Sequence, residues 1–86
     1  MNINELIVNV KKKLKKNINI KNILIEDKTF LHKSHPGHKS DKFHLKISIE
    51  SNELKNLNKI GSNRKIYKIL DKELKNYIHS LQILIK

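Results

Sequence analysis

Cysteine is absent from the 86 residues, tryptophan is absent too, and the chain has only one proline, two glycines, two tyrosines and two phenylalanines. Without cysteine there is no disulfide, no thiolate nucleophile and no thiolate metal site, so any soft-metal chemistry must borrow thiolates from a partner. So few aromatic rings leave little from which to build base-stacking platforms. Acids are scarce as well, eight against nineteen lysines and arginines. No apolar run approaches the roughly 20 residues of a membrane span, and Leu6 to Val10 is too short for a signal-peptide core. The expectation is a soluble, non-secreted chain with no membrane partner, placed in the cytoplasm, with the mitochondrion as alternative. At this length one domain over residues 1–86 buries about 60 to 65% of its unfolded surface, too little for a large internal active site.

What is present is mostly lysine, isoleucine and asparagine, which together fill 43 of the 86 positions and give a net charge of +11. Such a charge normally points to nucleic acid, because lysines near phosphates release counterions. Here the same three residues are the mark of an AT-rich coding sequence, so much of the charge is background. Residues 1–17 are amphipathic and lysine-rich enough to pass for an organellar transit peptide, but they read better as a first helix. Ile3, Leu6, Ile7, Val10 and Leu14 recur at helical spacing, Asn2 and Glu5 resemble a capping box, and the lysines of the last turns suit the negative end of the helix dipole.

Ile18 to Asp27 reads as a first strand and Lys28 to Asp41 as a loop with its turn at Pro36-Gly37. Phe43, Leu45, Ile47 and Ile49 then alternate with polar residues, which predicts a strand with one buried face and puts His44 on the polar face as a surface histidine. Ser51 is expected to cap a short helix carrying Leu54, Leu57 and Ile60 and ended by Gly61. From Ser62 the residues Ile66, Ile69, Leu70, Leu74, Tyr77 and Ile78 form one apolar stripe of a longer helix. Leu81, Ile83 and Ile85 alternate as a last strand. The order predicts a single α+β domain, αββααβ, with helices on one face of a three-stranded sheet.

That order and several motifs resemble the BolA-like family. Glu26-Asp27-Lys28-Thr29 is similar to the family's acidic-x-Ser/Thr step out of the first strand, and His32 stands three residues later, where members carry a His or Cys that reaches a cluster. Pro36-Gly37, Phe43, Arg64, Ile66-Tyr67 and Leu70-Asp71-Lys72-Glu73-Leu74 follow the family pattern, and Ile78-His79-Ser80-Leu81 is similar to its closing His-Ala-Leu. Ser62-Asn63-Arg64 departs from the usual Arg-His-Arg, and the loop is longer than usual, bringing His35 and His38 beside His32.

The resemblance implies a cluster assembly and trafficking role. A [2Fe-2S] cluster would be held jointly with a monothiol glutaredoxin and glutathione in a heterodimer, with His79 and His32 as this chain's ligands and His35 as a substitute. Imidazole can replace thiolate on such a cluster, as Rieske centres show. A homodimer is the arrangement left open in the partner's absence. Without the resemblance, His79 reads as a helix-end histidine and His32, His35 and His38 as a polar loop rather than a zinc or copper site, since Pro36 and Gly37 break any regular helix.

A KH-like nucleic-acid-binding protein or transcriptional regulator is the alternative, because the element order is also related to class II KH topology. Arg64, Lys65 and Lys68 would carry such binding. Gly61-Ser62-Asn63-Arg64, however, keeps only the first glycine of a Gly-x-x-Gly clamp, so binding is expected to be weak. An enzyme is not expected, since there is no cysteine and Ser34 and Ser40 lack an orienting scaffold.

Overall fold

The computed structural model describes residues 2–29 and 42–86. His32, His35, His38, Ser34, Ser40 and the Pro36-Gly37 turn lie outside the described residues. Helix α1 spans Ile3–Asn17. At its start the Asn2 side chain accepts the Glu5 N–H at 2.8 Å and donates to the Glu5 carboxylate at 3.3 Å, much as the capping pattern predicted. Leu6, Val10 and Leu14 are its buried stripe, and Ile18, extended and buried, closes it by donating to the Leu14 carbonyl. The first strand, β1, therefore begins at Asn22 rather than at Ile18, because Ile18 is used to cap the helix and fill the core.

Strand β1 (Asn22–Asp27) pairs antiparallel with β2 (Phe43–Glu50), and β2 pairs parallel with β3 (Ile78–Ile85), so β2 is central. A parallel neighbour needs a crossover, and the helices supply it. They are α2 (Asn52–Lys55), α3 (Lys59–Ile69) and α4 (Asp71–Asn76). The Leu70 N–H donates to Ile66 and the Leu74 N–H to Leu70, so α3 and α4 are two parts of one helix, slackened at Leu70. The order is thus αββααβ in an α+β fold.

Two further boundaries differ from the sequence expectation. Gly61 does not end a helix; it lies in the first turn of α3, which starts at Lys59, three residues before the expected start at Ser62, because the Asn58 side chain accepts the Gly61 N–H at 2.7 Å and caps the helix there. A Cβ at Gly61 would stand 3.1 Å from Asn58 Oδ1, a close approach that explains the glycine. The apolar stripe also overruns: α4 stops at Asn76, and Ile78 is the first residue of β3 rather than the last of the helix.

Leu45, Ile47 and Ile49 of β2 pack with the α1 stripe, Leu54, Ile66, Leu70 and Ile78 in one core, with Phe43, Ile69, Leu74, Leu81 and Ile83 against it. Burial of each aliphatic side chain contributes about 1.5–3 kcal/mol. Glu73 is buried among them and pairs with Lys13 at 2.9 Å, tying α4 to α1. The alternate residues Lys46, Ser48 and Glu50 lie on the opposite, uncovered face of β2.

Candidate functional site

The parallel ladder between β2 and β3 is not regular. Phe43 stands opposite Ile78 but His44 stands opposite Ser80, so His79 is an extra residue, a bulge at the first turn of β3. A bulge re-aims side chains that strict alternation would send to opposite faces. By strict alternation His79 would share the face of Leu81 and Ile83, and the bulge turns it instead to the face of His44. Its ring lies on the His44 ring with centroids 4.9 Å apart and planes at 52°, and His44 belongs to the face opposite Leu45. His79 itself remains exposed.

His44 is the second correction: it is 6% exposed, not a surface histidine. Its Nδ1 and the Ser80 hydroxyl are 2.6 Å apart in a hydrogen bond whose direction follows the imidazole tautomer. Its backbone N–H donates to the Thr29 hydroxyl at 3.2 Å, and its carbonyl accepts the Lys28 N–H at 2.7 Å. Thr29 in turn donates through both its backbone N–H and its hydroxyl to Asp27 Oδ1. The acidic-x-Thr step is therefore a local turn in which an aspartate side chain satisfies the backbone two residues on. Asp27, Thr29, His44 and Ser80 form a polar chain across all three strands, with His79 seated on it. Sequence pattern missed His44 because burial on the polar face depends on what a bulge in another strand brings over it.

Topology gathers more at this end. Segment 30–41 leaves β1 after Thr29 and returns before β2 at Lys42, and Asp27 pairs with Leu45 while Phe43 pairs with Ile78. Both described ends of that segment thus lie at the end of the sheet that carries His79. Among the described residues no group of three or more His, Cys, Asp or Glu is placed to hold a metal ion by itself. The exposed His79 presents a single imidazole at this end.

The residues of the nucleic-acid alternative divide. Lys65 is held by Glu53 at 2.6 Å, whereas Arg64 and Lys68 are exposed one turn apart on α3. Gly61 to Arg64 is helical, so it does not form a backbone clamp. No helix among the described residues is long and apolar enough to cross a membrane.

A family model described as BolA-like protein matches residues 14–86. The chain is 32% identical over 74 residues to the DNA-binding transcriptional regulator BolA of Haemophilus influenzae, covering 86% of this chain and 69% of that protein. It is 30% identical over 80 residues to the chloroplastic protein BOLA1 of Arabidopsis thaliana, covering 90% of this chain and half of that protein's length. Among solved structures, the BolA domain of SufE1 from Arabidopsis thaliana superposes with a TM-score of 0.77 at 28% identity, covering 92% of this chain and 87% of that one.

Proposed function

The chain belongs to the BolA-like protein family, and from that premise we propose that it shares a [2Fe-2S] cluster with a monothiol glutaredoxin and glutathione, as a carrier or regulator in cluster trafficking rather than an enzyme. The observation that carries this reading is His79. An exposed imidazole set in a bulge, backed by the buried His44 ring, is held in place before any metal arrives, so little ordering entropy is lost on ligation. The second ligand would come from segment 30–41, as His32 with His35 as substitute, because both feet of that segment are at His79's end of the sheet. Thiolates would come from the partner, since the chain has none. Histidine ligation would raise the cluster's reduction potential above that of all-thiolate ligation.

Anaerobic mixing of the full chain with a monothiol glutaredoxin, glutathione, iron and sulfide, followed by visible absorption and circular dichroism of the isolated complex, tests the reading. A coloured heterodimer is expected, and a colourless mixture without a complex overturns it.

The relative named as a DNA-binding transcriptional regulator supports a second reading, nucleic-acid binding through Arg64, Lys68 and the lysines of α1. Such binding would rest on phosphate contacts, and its affinity would fall steeply with salt without sequence preference. Tight binding of one sequence at physiological salt would put this reading first.

A further inference from the structure

The far end of β3 carries a second surface. A groove of about 410 Å³ is lined by Leu57, Lys55 and Lys59 from the α2–α3 region and by three successive strand residues, Ile83, Leu84 and Ile85. Successive strand residues point to opposite faces, so a cavity touching all three runs along the strand's edge rather than over either face. The backbone there faces outward. Lys86 donates its N–H to Ile49 of β2, so by alternation the backbone groups of Leu84 and Gln82 point to β2 and those of Ile83 and Ile85 point away from it. The outward-turned Leu81 carbonyl, which accepts the Tyr67 hydroxyl at 3.4 Å, fits the same phase. No strand among the described residues pairs with this side of β3. Leu57 and Leu84 beside it are 41% and 44% exposed.

An outward row of donors and acceptors flanked by exposed aliphatic side chains is a template for strand addition. We propose that the outer edge of β3 at Ile83–Ile85, with Leu57 and Leu84 beside it and Lys55 and Lys59 on its rim, receives one extended acidic segment of a partner protein as an added strand. Charge selects the occupant. The groove has two lysines and no carboxylate in its lining, and the whole chain carries +11, so a second copy would bring like charge to like. A nucleic-acid strand is the poorer fit, because the lining has no aromatic ring on which bases could stack and Gly61 to Arg64 is helical. Ile83 lies four residues beyond His79, about 13 Å along the strand, so the groove does not depend on the cluster site.

The test uses the isotope-labelled full chain and an acetylated, amidated Glu-Glu-Val-Val-Val-Glu-Glu peptide followed by NMR. Amide shifts and slowed amide exchange are expected at Ile83 and Ile85. N-methylation of alternate valines in the peptide should abolish both, and the double variant Lys55→Glu with Lys59→Glu should weaken binding about tenfold. His79→Ala should bind the peptide like the unsubstituted chain, which separates this result from the fate of the cluster. The proposal is overturned if the peptide leaves those amides unmoved, if the methylated peptide binds equally well, if a single-stranded oligothymidylate takes the groove in preference to the peptide, or if the amides shift with protein concentration alone.

Discussion

The two ends of β3 use one strand in opposite ways. At Ile78–Ser80 the ladder skips a residue, and the polar side chains of His44, His79 and Ser80 gather on the face away from Leu45. From Leu81 to Ile85 the register is regular, Leu45, Ile47 and Ile49 face Leu81, Ile83 and Ile85, and the side chains that meet are aliphatic. The first end is defined by a hydrogen-bonded chain running back to Asp27, the second by packing over a core in which Ile47 and Ile49 have no exposure. The contrast shows how a small domain keeps an imidazole in water without loosening its fold: the departure from regularity is confined to the strand's start beside Ile78, and the core layers from Leu81 to Ile85 stay regular.

Two substitutions can break or sharpen that contrast. Ile47→Ala removes the side chain under the regular end and should cost about 2–5 kcal/mol, read as a fall in the urea midpoint at unchanged slope. Ser80→Ala deletes the Ser80 partner of the buried His44 ring and should cost about 1 kcal/mol while moving the His79 ring resonances in NMR. An equal cost at the two sites, or His79 resonances that stay in place, would mean that packing rather than hydrogen bonding holds the bulge.

The smallest effect lies outside both ends. The Glu53 carboxyl, bound by the Lys65 ammonium and by the Asn19 N–H, is held below the ordinary glutamate range. A lowered folded-state pKa adds stability that is present above the unfolded value, about 4.3, and is lost as pH falls through the lower folded value. Glu53→Gln should therefore lower the melting temperature slightly at neutral pH, leave it unchanged once the pH is below the folded value, and so shrink the fall across that acid window. A fall as steep as that of the unsubstituted chain would remove Glu53 from the acid response.

Most of the frame was legible because its signals are local. Asn2 with Glu5 and the stripe Leu6, Val10, Leu14 name α1, and the alternation from Phe43 to Glu50 names β2 with its buried face. The family resemblance likewise rested on short runs such as Ile78-His79-Ser80-Leu81, and the family match bears it out. What escaped was non-local or masked by composition. Asn58 is one of eleven asparagines, so nothing in the string marks it as the residue that caps α3 and draws Gly61 into the helix. The stripe through Tyr77 and Ile78 fits a helix and a strand start equally, and the parallel pairing with Phe43 decides for the strand. The bulge is a relation between two strands, so the face of His79 and the burial of His44 could not be read from either strand alone.

The central claim is that the bulge presents His79 as a metal ligand and not as a structural residue, and the His79→Ala heterocomplex with a monothiol glutaredoxin tests it most directly. Since His79 is exposed, the variant alone should keep its stability to within about 0.5 kcal/mol. Its complex should lose the visible circular dichroism of mixed histidine and thiolate ligation and revert to the spectrum of the glutaredoxin's own cluster. A spectrum identical to that of the unsubstituted heterocomplex would contradict the claim and leave His79 a ring packed on His44 with no ligand to hold.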